Sequence, residues 1–152
     1  MSEIAARLES LGLLLPPPPM PQGSYVSALR TGNLIFISGQ LPMRDGRLQF
    51  KGKLGRDLDI GQGQEAARLC FLNVLAALAF TGIPLDQVAR VVRLGGFVQC
   101  VEGFADQPKV LNGASDLCRD LFGEKGAHVR AAVGVHALPL DAAVELEALF
   151  EV

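Results

Sequence analysis

Hydrophobic positions along the chain change their period several times, and each change marks an element. Near the N-terminus Ile4, Leu8 and Leu11 fall on one helical stripe, with Ser2 placed to cap it and Gly12 to stop it. Pro16-Pro17-Pro18-Pro19-Met20-Pro21 follows, an extended run that cannot be helix. Residues 25–30 and 34–38 read as strands joined by a tight Thr31-Gly32-Asn33 connection. An Asp45-Gly46 turn leads to a weaker strand at 48–51. Residues 62–81, rich in Ala and Leu and closed by Gly82 and Pro84, give the strongest helical pattern. Beyond Arg68 that segment is apolar almost all round, which predicts burial on more than one face.

Residues 88–101 read as a long strand, in which Gly95-Gly96 implies a bulge or a close backbone approach. A helix is expected over 110–122, with Asn112-Gly113 disturbing its start and Gly123 as its stop. Two strands, 129–138 and 142–152, surround Pro139-Leu140. In the second, Val144, Leu146, Ala148, Phe150 and Val152 alternate with Glu145, Glu147 and Glu151. The order predicts an α+β fold, with two helices on one face of a mostly antiparallel or mixed sheet. The other face keeps apolar positions, so a symmetric homo-oligomer packing sheet against sheet is expected.

Composition narrows the chemistry. At 152 residues, 49% hydrophobic and 20% charged, the chain suits one domain with a packed core. Its net charge is −2 and no basic run exists, so a nucleic-acid partner is not expected. The longest apolar stretch, 69–80, is too short for a bilayer and carries Asn73, so no membrane association is expected. The first 15 residues lack a basic region and contain Glu3 and Glu9, unlike a secretory signal. Three scattered Cys and two His form no C-x-x-C or H-x-x-x-H pattern, so neither a metal nor a dithiol site is expected. Free thiols fit a cytoplasmic setting.

Candidate chemistry therefore rests on Arg, Glu, Ser, Asn and the single Tyr. Arg130 opens a strand, where a rigid fork of donors suits a carboxylate or a structural pairing with a neighbouring acid. Glu145, mid-strand, could orient water or simply face solvent. If Pro139-Leu140 is a two-residue turn, Arg130 lies opposite Leu149 and shares a face with Glu145, roughly 13 Å away; a one-residue slip would put them on opposite faces. Gly39 lets a ligand approach backbone and Ser38 offers a hydroxyl; the alternative is a simple strand end. Asn112 marks either a loose first turn or a cleft residue.

Two stretches carry a family resemblance. Gly23-Ser24-Tyr25-Val26 with Asn33 to Pro42 (N-L-I-F-I-S-G-Q-L-P), and Arg130 to Val135 with Leu138-Pro139 and Val144 to Ala148 (V-E-L-E-A), resemble the RidA (YjgF/L-PSP) family. The likeness runs from about Gln22 to the C-terminus. The N-terminal helix and Pro run suggest a longer-chain subgroup, dividing the chain into residues 1–21, helix and connector, and 22–152, the RidA-like domain. The resemblance implies a chorismate-mutase-like subunit in a homotrimer with a central barrel and inter-subunit clefts. It also implies cofactor-free hydrolysis of reactive 2-imino acids to 2-keto acids and ammonia. In that reading Arg130 binds the substrate carboxylate, Glu145 holds the attacking water, and Tyr25 and Ser38 line the cleft. The family's helix Asn falls on Asn112 or Ser115. Two departures reshape the pocket: the family's Cys two residues after the Arg is Ala132, and its preceding Pro-Ala is His128-Val129. Alternatives are a non-catalytic trimer that binds small carboxylates, and an RNA-cleaving translation inhibitor.

Overall fold

The computed structural model describes residues 2–18, 20–21 and 23–152. Its elements are α1 (Glu3–Ser10), β1 (Ala28–Thr31), β2 (Leu34–Gln40), β3 (Met43–Arg44), β4 (Arg47–Leu48), α2 (Ile60–Phe80), β5 (Arg90–Gln99), α3 (Gln107–Phe122), β6 (Val129–Val135) and β7 (Val144–Glu151). The main sheet has the order β1-β2-β7-β5-β6. All its pairings are antiparallel except β5 with β6. Helices α2 and α3 cover one face, giving the expected α+β chain fold.

Local chemistry sets most boundaries. Gly32 takes φ 59° in the turn between β1 and β2. Asp45 (φ 53°) and Gly46 (φ 72°) both turn left-handed between β3 and β4, as an Asp-Gly hairpin requires. Helix α2 starts earlier than its apolar run because Asp59 and Gln62 form a reciprocal capping box. The first strand starts later than expected: Tyr25 and Val26 precede it, in a bend where the Tyr25 amide donates to the Gly23 carbonyl at 3.0 Å.

Helix α3 begins at Gln107 and runs straight through Asn112-Gly113. The glycine there is a contact point, since a Cβ at Gly113 would collide with the α2 backbone at Gln64. Gly96 plays the same part in β5, where a Cβ would meet the buried Leu111 side chain of α3. Its expected reading as a close approach therefore holds, and the irregularity in β5 falls instead between Val91 and Arg93.

The last two strands do not form the expected hairpin. β5 lies between β6 and β7, and β6 runs parallel to it. Alternation shows which side chains share a face but not which strand is the neighbour, and β5, buried on both faces at Gly95 and Gly96, takes the place between β7 and the edge strand β6. The connection after Leu138 is a short 3-10 turn, Pro139–Asp141, with Leu140 at φ 59° and Asp141 at φ 62°. Buried Gln99 pins it: its side chain accepts from the Leu138 amide at 2.7 Å and donates to Asp141 Oδ1 at 2.7 Å and the Gly52 carbonyl at 2.9 Å.

The core between sheet and helices includes Phe71, Leu75, Leu94, Leu111 and Phe150. Ile4 and Leu8 join it from α1. That helix is tied down by Asp86, whose carboxylate accepts from the Glu3 and Ile4 amides, and by Arg7, which donates to the Leu121 carbonyl. No helix among the described residues is long and apolar enough to cross a membrane.

Candidate functional site

Arg130 aligns with Leu94 of β5, which aligns with Ala148 of β7. Both neighbours are buried toward the helices, so Arg130 projects on the helix side of the edge strand β6, toward α3. There Nη1 donates to Asn112 Oδ1 at 2.9 Å and Ser115 Oγ at 3.0 Å, while Nη2 makes a long contact, 3.4 Å, to the Pro108 carbonyl. Among the described residues no acid pairs with it. A half-buried guanidinium held only by neutral acceptors keeps its full positive charge, and Nε with the rest of Nη2 remains open to a planar anion. The pairing with a neighbouring acid, the structural alternative in the sequence, is not made among the described residues. Asn112 and Ser115, alternatives in the sequence, both reach the same nitrogen.

His128 joins this group from the loop before β6. Its Nε2 lies 2.9 Å from Ser115 Oγ and its Nδ1 2.6 Å from the Gly126 carbonyl. Thirteen residues separate Ser115 from His128, so no local spacing rule signals the contact.

Glu145 stands elsewhere. It aligns with Phe97, which aligns with Val133, on the face away from the helices. Its carboxylate rests over Gly39, where any Cβ would collide with it. Tyr25, Gly39, Gln40, Pro139 and Met20 line a cavity of about 60 Å³ beside it. Glu145 has no hydrogen bond or ion pair among the described residues. Partial burial, with the neighbouring charge of Glu147, pushes its pKa above the usual carboxylate range. Glu147 itself pairs with Arg93 at 3.1 Å. Ser38 does not line the cavity; its hydroxyl donates to the Val26 carbonyl at 2.6 Å.

Six candidates thus fall into two groups: Arg130, Asn112 and Ser115 on the helix side, and Glu145, Tyr25 and Gly39 on the other. Arg130 and Glu145 sit two strands and three residues apart, roughly 14 Å between Cα atoms at ordinary sheet spacings. The separation resembles the expected one, but the shared face does not exist, because β5 intervenes. One copy of the chain cannot bring both groups to one ligand. The thiols offer little: burial pushes Cys70 well up and Cys118 to about 12. Among the described residues no cluster of His, Cys, Asp and Glu could hold a metal ion.

Comparison with known proteins bears on the whole chain. Residues 5–151 match the family model described as "YjgF/chorismate_mutase-like, putative endoribonuclease". The chain is 45% identical to Protein TCP17 of Trypanosoma cruzi, over 97% of this chain and 93% of that one. It is 26% identical to a 2-iminobutanoate/2-iminopropanoate deaminase of Dermatophagoides farinae, over 86% and 88%. A solved structure of the Agrobacterium tumefaciens protein Atu1372, of unknown function, superposes with a TM-score of 0.92 at 43% identity, covering 99% of this chain and 92% of that one. With a family match over nearly its full length and the same α+β topology, the chain belongs to the YjgF/RidA family.

Proposed function

We propose that the protein is an imine deaminase, hydrolysing reactive 2-imino acids to 2-keto acids and ammonia in clefts between the copies of a homotrimer. The observation that carries this reading is the pair of uncompensated charges, Arg130 and Glu145, on opposite faces of one sheet. Two copies can complete a cleft that one cannot. The face to be covered already carries Phe36 and Val133, each 45% exposed. Kinship with a protein named as an iminobutanoate deaminase supports the substrate class.

In this mechanism the substrate carboxylate takes the open edge of Arg130. Glu145 of the neighbouring copy accepts a proton as water adds to the C=N carbon. Glu145 returns that proton to nitrogen to give the carbinolamine, whose collapse forms the keto C=O, passes the hydroxyl proton to nitrogen through Glu145, breaks the C–N bond and releases ammonia. The sum is R–C(=NH)–COO⁻ plus water giving R–CO–COO⁻ plus ammonia. Imines hydrolyse readily, so orientation of one water and one substrate suffices, and the chemistry asks for no cofactor. A raised Glu145 pKa makes the carboxylate a better proton acceptor than an ordinary one, which suits a group that takes and returns a proton. Residues 22–152 form the catalytic unit; the N-terminal connector adds Met20 and Pro21 as a wall of the Glu145 cavity. The net charge of −2 favours this reading over RNA cleavage.

The test supplies imines from an amino-acid oxidase and follows ammonia or keto-acid release. Acceleration over the uncatalysed rate, lost in Arg130→Ala and Glu145→Gln, is expected. Keto-acid binding through Arg130 with no turnover on any imine would instead establish a non-catalytic carboxylate binder.

A further inference from the structure

We infer that Ser115 and His128 are positioning residues for Arg130, forming a one-way hydrogen-bond chain that aims the open edge of its guanidinium at a ligand carboxylate. This rests on the carboxylate reading of Arg130 above.

The direction of the chain follows from what each group can do. The Gly126 carbonyl only accepts, so at 2.6 Å His128 Nδ1 must carry a proton. In the opposite tautomer two lone pairs would face each other at that distance. A neutral imidazole protonated on Nδ1 leaves Nε2 bare, and Nε2 then accepts from Ser115 Oγ at 2.9 Å. The single Ser115 proton is therefore committed to His128, and the lone pairs of Oγ are left for Arg130 Nη1 at 3.0 Å. Arg130 donates to Ser115, Ser115 donates to His128, and His128 donates to backbone. Asn112 Oδ1 takes the second Nη1 proton.

Both Nη1 protons are thus engaged by fixed acceptors, and the Nε–Nη2 edge alone remains for bidentate contact with a carboxylate. The backbone carbonyl of Gly126 is the anchor. Buried Gly126 packs against the α3 backbone at Cys118 and Arg119, where a Cβ would collide, so the anchor does not move relative to Ser115. The chain reaches from a rigid loop to the tip of a long side chain that has no ion pair among the described residues to hold it.

Three variants separate positioning from packing, with pyruvate as the probe and calorimetry on the intact protein at pH 8. Ser115→Ala removes an acceptor from Arg130. His128→Asn keeps a donor for the Gly126 carbonyl but removes the acceptor for Ser115, whereas His128→Gln keeps an acceptor near the Nε2 position. Ser115→Ala and His128→Asn are expected to weaken pyruvate binding roughly five- to tenfold. The Gln variant should stay within about twofold, and the Ser115→Ala/His128→Asn pair should lose no more than either change alone. Long-range nitrogen NMR should find the His128 proton on Nδ1. Wild-type affinity in Ser115→Ala or His128→Asn, additive losses in the pair, or a proton on Nε2 overturns the inference. A wild-type protein that does not bind pyruvate defeats the carboxylate reading itself, and the tautomer then decides whether the chain exists.

Discussion

Replacing Gln99 by Met keeps length and volume while deleting every polar contact of a side chain that is 1% exposed. Three hydrogen bonds disappear: to the Gly52 carbonyl, to Asp141 Oδ1, and from the Leu138 amide. Two neutral bonds at about 1 kcal/mol each and one to a carboxylate at about 1.5–3 kcal/mol give a loss of about 3–5 kcal/mol. The loop they hold contains Leu140 and Asp141 at φ 59° and 62°, conformations that persist only where surroundings enforce them. Against a typical domain stability of about 5–15 kcal/mol the loss is severe. Urea unfolding at one fixed protein concentration should show it as a lower midpoint with an unchanged slope, and a thermal midpoint falling by roughly 10 °C. Pro139, on this same turn, lines the Glu145 cavity, so imine turnover should fall in parallel. A loss below about 1 kcal/mol would refute the claim that Gln99 holds the turn.

Glu145→Gln should stabilise the protein at neutral pH. The folded-state pKa is raised, so wild-type stability declines as pH climbs from the ordinary carboxylate value through the folded one. The uncharged Gln escapes that decline, and thermal melts at pH 4 and pH 7.5 should show the advantage only at the higher pH; equal or lower stability there contradicts it. Gly113→Ala should destabilise by about 1–3 kcal/mol, although Gly to Ala in an open helix normally stabilises, because the new methyl meets the α2 backbone. A denaturation midpoint at or above wild type would contradict that close crossing. Val133→Asp, on the uncovered face, should shift sedimentation from the proposed trimer to monomer while far-ultraviolet circular dichroism stays unchanged. An intact trimer in this variant would place the interface elsewhere.

Much of this was legible in sequence. Alternation in Val144 to Phe150 placed Glu145 opposite the buried positions of β7, and the Asp45-Gly46 turn has the left-handed pair its residues demand. The capping box Asp59–Gln62 was also readable but is masked by Gly61 and Gly63, which make the helix start look irregular. Strand neighbours were not legible. Short apolar strands on either side of Pro139-Leu140 suit a hairpin, and only the tertiary contacts of β5, with Gly96 packed under Leu111 of α3 and Gly95 beneath the Arg93 and Glu147 side chains, show that it comes between them. That one choice decides whether Arg130 and Glu145 share a face. The Ser115–His128 contact was equally hidden, because it joins a helix to a loop by tertiary packing.

The central claim is that each active cleft draws Arg130 from one copy and Glu145 from another. Arg130→Ala and Glu145→Gln proteins, each inactive alone, can be mixed in equal amounts under conditions that exchange subunits, and imine hydrolysis then measured. Random assembly places an intact Arg130 donor beside an intact Glu145 donor in about a quarter of the clefts of a cyclic trimer. Recovery of about a quarter of wild-type activity is the predicted result. No recovery from fully exchanged trimers would contradict the account.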